Sequence, residues 1–294
     1  MKCIKIFSIL FFITFSVQCQ KKEVKIETAK LTNQVYMLKG QGGNIGLFIG
    51  DDGIFMIDDQ FAPLSAKILV AVKNITDKPL TYLINSHWHG DHTGGNENMQ
   101  KEGALIVAHK NVRKRMNVDQ IVGGKAKKAA VNEALPVITF SDDLMMHINN
   151  DAIFISHIHN AHTDGDALIY FTTNNVLHTG DSYFQGKFPY IDLDSGGSIN
   201  GYIEGIKKMI LLTDDKTKVI PGHGNISNKA DLKVYLIMLE QVRENVLKEI
   251  DKGQTLKQVT DNKELTEKYN SFSGWITGER IRSTVYKSLQ LEKK

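Results

Sequence analysis

The segment "LINSHWHGDHTGG", residues 83–95, constrains this chain more than any other. An apolar, β-rich run ends abruptly in His87, His89, Asp91 and His92, with glycines at 90, 94 and 95. Histidine is a minor residue, ten in 294, so its crowding here calls for a chemical reason. At an extended strand end, residues two apart point the same way, so His87 and His89 can share one metal. Gly90 lets the chain turn sharply. Asp91 and His92 then emerge in another direction, toward a second metal. Imidazole nitrogen and carboxylate oxygen are both good Zn²⁺ ligands. A fold that uses such a cluster must bury the strand and leave its end open.

The same style recurs along the chain. "GGNIGLFIGDDGIFMIDDQ" is two apolar runs around Asp51-Asp52-Gly53, a hairpin signal. "APLSAKILVAVKNIT" reads as a helix with Ile68, Leu69 and Val72 on one face. "LIVAH" is strand-like, and the polar segment 111–134 reads as helical. "DAIFISHI", "DALIYFTTNNVLHTGD" and "TKVIPGHG" each run from apolar residues into a His or Asp. Between them, "INGYIEGIKKMILL" and "ADLKVYLIMLEQVRENVLKEIDKG" have helical spacing, the second with Leu232, Tyr235, Leu239, Val242, Val246 and Ile250 on one stripe and Gly253 as its stop. Strands interleaved with helices in both halves predict an α/β protein of the α+β type, with sheets covered by helices. No linker interrupts it, so residues 19–294 read as one compact domain.

Four groups cannot close two metal sites. Other strand ends supply more: His162 in "NAHTDGD", Asp181 in "HTGDSYF" and His223 in "IPGHG". This ordered set resembles the metallo-β-lactamase superfamily, whose HxHxDH motif matches "HWHGDH" and whose later His, bridging Asp and final His match His162, Asp181 and His223. The likeness extends from "GGNIGLFIGDDGIFMIDD" to the last helix. It implies an αββα sandwich, two facing mixed β-sheets flanked by helices, with the metals at one edge. It also implies two Zn²⁺ per chain. His87, His89 and His162 would hold the first, Asp91, His92 and His223 the second, and Asp181 would bridge them. Iron or manganese also suits His/Asp ligands.

The remaining histidines read as structural. His159, crowded against His162, is a candidate for the rim or for support of a ligand, His157 for packing, and His109, His147 and His178 for ordinary structural roles. Asp58 ends the run "IFMID" and could accept the second N–H of a metal-bound histidine or simply form a turn. Lys187, in "QGKFPYIDLDSGG", could receive a substrate carboxylate or stand in solvent. That loop and the glycines at 42 and 43 are expected to frame the pocket.

Residues 1–18 differ from the rest. Lys2 and Lys5 precede an apolar run from Ile6 to Val17, too short to cross a bilayer and suited to a signal peptide. Cys19 comes next, where bacterial lipoproteins carry their acylated cysteine, with Gln18 in place of the usual small residue. An exported, periplasmic lipoprotein anchored to the membrane at Cys19 is the expectation. Cys3 and Cys19 are the only cysteines, so no disulfide would staple the mature protein. The net charge is +3 with two lysines in the leader, so the remainder is nearly neutral and calls for no nucleic-acid partner. A nuclease is disfavoured on that ground.

The resemblance implies a hydrolase. Two zincs share a hydroxide that attacks a carbonyl of an amide, lactone, ester or thioester, and Asp91 moves the proton. In one lactamase branch Cys stands at the position of Asp181, with a substrate-binding Lys three residues later, where this chain has Phe184. Asp at position 181 resembles glyoxalase II, lactonases and other general hydrolases instead. The alternatives are a class B β-lactamase and a non-catalytic zinc-binding lipoprotein.

Overall fold

The computed structural model describes residues 23–122 and 125–292. The expected leader and Cys19 lie outside the described residues. Seven strands form the first sheet: β1 (Glu27–Lys30), β2 (Val35–Lys39), β3 (Ile45–Gly50), β4 (Gly53–Ile57), β5 (Leu80–Asn85), β6 (Leu105–His109) and β9 (Ile138–Phe140), adjacent in that order. Strands β1 to β4 are antiparallel neighbours, and β4, β5, β6 and β9 run parallel. The second sheet is β10 (Asp143–Ile148), β11 (Asp151–Ile158), β12 (Asp166–Phe171), β13 (Val176–His178) and β14 (Lys218–Ile220). Strands β7 (Gln120–Val122) and β8 (Lys125–Lys127) pair only with each other.

Period-2 geometry turns the apolar runs into two interfaces at once. On β4, Phe55 and Ile57 face inward, while Ile54 and Met56 face outward. On the second sheet, Ala167, Ile169 and Phe171 face inward, and Leu168 faces out. The inward sets meet in one core between the sheets, where Phe171 contacts Phe48 at 4.9 Å and Phe55 at 6.1 Å. The outer face of the first sheet packs on α1 (Ser65–Lys73), and Met99 of α3 (Asn96–Lys101) joins that cluster. The helix α4 (Lys110–Met116) continues directly from β6, and the short α2 (Gly90–Thr93) follows β5 after the four residues Ser86 to His89. The second sheet is covered by α5 (Ile199–Leu212), α6 (Lys229–Asp251) and α8 (Gly278–Leu291), with α7 (Leu256–Asp261) between the last two in sequence. The result is the expected αββα sandwich.

The stripe read on α6 is its buried face, and Gly253 lies just past its end with φ +78°. The segment 111–134 departs from the helical expectation. Among its described residues only Lys110–Met116 is α-helical, with a single 3-10 turn at Asn132–Ala134, and the β7–β8 pair lies between them. A Lys/Arg/Ala-rich composition suits a helix, but "QIVGGKAK" places two glycines between short runs, a hairpin signal that outweighs it. Strands β9 and β10 and the helices after Gly253 carried weaker patterns, and β10 is mostly half-exposed or exposed.

Because Phe171 touches both aromatic partners across the inter-sheet core, Phe171→Ala should cost about 3–5 kcal/mol. Urea unfolding should show a lower midpoint with an unchanged slope, since only the native packing changes.

Candidate metal centre

Strand ends deliver the site. Beyond β4 comes Asp58, beyond β5 come Ser86 and His87, beyond β11 comes His162, beyond β13 comes Asp181, and beyond β14 comes His223. The seven residues singled out in sequence fall into two groups that share Asp181: His87, His89, His162 and Asp181, and Asp91, His92, Asp181 and His223. Within each group the donor atoms lie within 4.8 Å of one another. In the second group, His92 Nε2 stands 3.0 Å from Asp181 Oδ1, and His223 Nε2 stands 3.3 Å from both Asp91 Oδ2 and Asp181 Oδ1. Ligands of a tetrahedral zinc stand roughly 3.3 Å apart at ordinary Zn–N and Zn–O lengths.

Hydrogen bonds assign the ring nitrogens. His92 Nδ1–H donates to Asp58 Oδ2 at 2.7 Å, His89 Nε2–H to Asp192 Oδ2 at 2.8 Å, and His162 Nδ1–H to the Tyr190 carbonyl at 2.7 Å. The other nitrogen of each ring then points into the cluster. His162 Nε2 and His89 Nδ1 face each other at 2.8 Å, two acceptors with no proton between them. His87 Nε2, His92 Nε2 and Asp181 Oδ1 are buried without a hydrogen-bond partner. Lone pairs crowded this way are tolerable around a cation, so the donor set fits a metal pair.

Electrostatics sort the histidines. Burial, and then the other imidazoles, hold His87 well below its ordinary value, and burial followed by His89 brings His162 down to about 4. Both are neutral near pH 7, the form that ligates. For His223, burial acts downward but Asp181 and Asp91 outweigh it, to about 9. His92 is raised in the same way by Asp181, Asp91 and Asp58 against its burial. Without metal, these two hold protons where the ion would sit.

The backbone closes tightly on the cluster. A Cβ on Gly43 would lie 2.0 Å from the His92 ring, and one on Gly222 would lie 2.1 Å from Asp181 Oδ1. Asp58 and Gln60 both sit at φ +59°, a left-handed conformation uncommon for non-glycine residues. Gln60 donates to the Gly43 carbonyl at 2.7 Å, tying the glycine loop to the site. Asp166 accepts from the backbone of His162 and Thr163 at 2.7 and 2.8 Å, holding the His162 loop in place.

Asp58 accepts from His92 Nδ1–H, the contact that support of a ligand histidine would require. His159 lies past the end of β11, exposed, with its ring edge-on to His157 at 4.4 Å, and it is not among the residues that line the cleft. His157 stacks on His109 at 3.9 Å, as a packing residue should. His178 is buried, and its Nε2 faces the Asn44 carbonyl at 3.2 Å. Asp192 escaped sequence reading. It lies 103 residues from His89, and nothing marks it among the acids of "YIDLDSGG".

A cleft of about 740 Å³ opens onto His89, Asp91, Asp181 and His223. Phe61, Phe184, Phe188, Tyr190, Trp275 and Ile276 wall it, and Lys187 and Arg280 add positive charge. Arg280 lies over the rings of Trp275 at 4.9 Å and Tyr190 at 5.3 Å. The helix bearing Arg280 and the loop bearing Trp275 were not singled out in sequence.

A sequence profile of the metallo-beta-lactamase superfamily matches residues 38–223, and the chain belongs to that superfamily. The match ends at His223, short of the expected reach to the last helix. The hydroxyacylglutathione hydrolase of Nitrosococcus oceani is 27% identical over 171 residues, 56% of this chain and 57% of that protein. The chain thus spans little more than half of that relative. The type 2 metallo-beta-lactamase of Bacteroides fragilis is 23% identical over 226 residues, 70% of this chain and 83% of the other. Among solved structures, a metallo-beta-lactamase from Pontibacter korlensis has a TM-score of 0.61 at 18% identity, covering 74% of this chain and 99% of its own, a likeness of fold.

Metal uptake should release protons. Near pH 7 zinc must displace those on His92 and His223, so about one to two protons should leave per pair of ions bound. Zinc titration calorimetry in buffers of different ionisation enthalpy measures that number. Affinity at the His92/His223 group should rise with pH until the His223 value of about 9. The His162 group should be insensitive well above its value of about 4. A pH-independent second site would contradict the assignment.

Proposed function

We propose that the chain is a binuclear zinc hydrolase acting on a small carbonyl substrate, an ester, thioester or lactone. The observation that carries this reading is the division of labour between two carboxylates. Asp181 is buried among four imidazoles, while Asp91 is 26% exposed and lines the cleft. Zinc, when bound, supplies a Lewis acid and acidifies water. Asp91 Oδ2 lies 3.3 Å from His223 Nε2 at the open side, where it can hold a proton taken from water and pass it on. Burial pushes Asp91 upward, but His92 and His223 outweigh it and keep the carboxylate ionised. The aromatic walls exclude water from the reacting group and suit an apolar or aromatic portion of the substrate, while Lys187 and Arg280 suit an anionic end.

Phe184 favours these substrates over β-lactams. Its ring stacks on His223 at 5.2 Å, so a neutral aromatic face lies beside the second ligand group. The similarity to a hydroxyacylglutathione hydrolase supports a thioester in particular. A purely structural zinc protein would have no use for an open cleft beside an accessible carboxylate.

The test is turnover by zinc-loaded protein on an S-hydroxyacyl glutathione, a lactone, an aryl ester and a cephalosporin, each with and without chelator. Chelator should abolish hydrolysis, and the cephalosporin should be the poorest substrate. Asp91→Asn, compared at full zinc occupancy, should lose about 10²–10⁴-fold in kcat. A loss of only a few-fold would reduce Asp91 to a metal ligand.

We also propose that the protein is exported and held at a membrane through Cys19, on the strength of the charged start and short apolar run. Among the described residues no helix is long and apolar enough to cross a membrane. Fractionation of cells making wild type or Cys19→Ala decides between anchoring and simple export: the wild type should sediment with membranes and the variant should not.

A further inference from the structure

Strand β3 carries no ligand, yet the two residues just before it touch Asp91, His92 and the His223 loop. The Gly43 N–H donates to the Asp91 carbonyl at 3.1 Å, and Gly43 approaches the His92 ring too closely to carry a Cβ. Asn44, 2% exposed, reaches the loop after β14. Its side-chain amide donates to the Pro221 carbonyl at 2.9 Å and to the Gly224 carbonyl at 3.1 Å. Its backbone N–H donates to the Gly222 carbonyl at 2.7 Å. One residue of the first sheet thus holds the main chain on both sides of a ligand delivered by the second.

His223 needs that hold more than the other histidines of the cluster do. Each of the others has a partner on its second ring nitrogen: the Ser86 hydroxyl for His87, Asp192 for His89, Asp58 for His92 and the Tyr190 carbonyl for His162. Nδ1 of His223 has none among the described residues, and the side chain is 34% exposed. A ligand imidazole without such a bond lacks the usual means of fixing its ring. No helix or strand fixes its backbone either, because it lies between the end of β14 and the start of α6. On one side, the Phe184 ring stacks on it at 5.2 Å. The Gly222 N–H donates to the Tyr183 carbonyl and the Gln185 N–H to the His223 carbonyl, both at 3.1 Å. On the other side stands Asn44. Among the described residues, its side chain is the one that bonds main chain both before and after the ligand.

We propose that Asn44 is the positioning residue for His223, a clamp that does through the main chain what a carboxylate or carbonyl does for the other ligand rings. This rests on the reading of His223 as a zinc ligand. Phe184 sets the tilt of the ring, and Asn44 sets where the ring starts. Without its amide, the Pro221 and Gly224 carbonyls lose their donor, and the loop is free to carry His223 away from Asp91 and Asp181. The loss falls on the second group, because Asn44 bonds no residue of the first.

The test is stepwise zinc affinity, measured on metal-stripped protein by competition with a chromophoric chelator. Wild type should show two steps. His223→Ala should weaken or abolish one, which marks the step of the second group. Asn44→Ala, and Asn44→Leu with its similar shape, should weaken that same step by about ten- to a hundredfold, the usual cost of losing a partner behind a ligand. The other step should stay within about twofold, since it shares no contact with Asn44. Asn149→Ala is the control for lost hydrogen bonds elsewhere. Asn149 is 4% exposed and bonds the Asp52 N–H and the Gly53 carbonyl at the far end of β3 and β4. Its loss should lower the urea midpoint and move neither zinc step by more than about twofold. A marked step unmoved by both Asn44 variants, both steps weakened alike, or an equal loss in Asn149→Ala would overturn the clamp. If wild type shows a single step, the binuclear reading fails, and the clamp survives only if the Asn44 variants and His223→Ala all weaken that step. If His223→Ala moves neither step, His223 is no ligand and the clamp falls with it.

Discussion

The Asp58 carboxylate is the constraint on which the site depends. It is fully buried and accepts three hydrogen bonds at 2.7 Å, from the Ser86 backbone N–H, the Ser86 hydroxyl and His92 Nδ1–H. A buried carboxylate is costly unless its oxygens are satisfied. Here that satisfaction joins the end of β4 to the end of β5 and to α2. It also orients His92, since holding Nδ1 turns Nε2 toward Asp181 Oδ1, 3.0 Å away. Ser86 lies 3.1 Å from His87 Nδ1 through its hydroxyl, so one carboxylate orders the first ligands of both groups. The left-handed backbone at Asp58 and Gln60 is the local cost of turning this carboxylate inward.

The layers explain why the polar chemistry gathers where it does. The central strands of each sheet are covered on both faces, so their functional side chains can reach solvent only from a strand end. Apolar packing brings those ends together and dries them. Burial then keeps His87 and His162 neutral, while paired carboxylates keep His92 and His223 charged until a metal replaces their protons. The same core that stabilises the fold thus prepares the ligands.

What could be read in the sequence was what repeats locally. His87, His89, Asp91 and His92 lie in one short run, and His162, Asp181 and His223 each come after an apolar strand. Their convergence is a consequence of topology, and every strand interrupted by His or Asp beside glycine pointed to it. Residues whose partners are remote were opaque. Asp192 meets His89 only because the loop after Asp181 folds back, and Arg280 and Trp275 enter from the far end of the chain. His159 looked like a neighbour of His162 by spacing, but the end of β11 turns it out to His157. The β7–β8 arm was hidden by a basic, alanine-rich composition that suits a helix better than a strand.

That asymmetry has a physical basis. Metal ligands must obey a fixed short-range geometry, so their residue types and strand-end positions are confined, and the confinement shows in sequence. The cleft is assembled from Phe61 after β4, the loop from Phe184 to Tyr190, and the Trp275–Arg280 segment, three pieces that share no local rule. Contacts across such loops are set by where each segment ends, and many side chains meet the same need for an apolar wall. Reaction class is therefore carried by the fixed geometry of a few short contacts, and substrate choice by loops that can change without disturbing them. Asp91 belongs to both: it lies 3.6 and 3.3 Å from His92 and His223, and it is the more exposed of the two carboxylates that line the cleft.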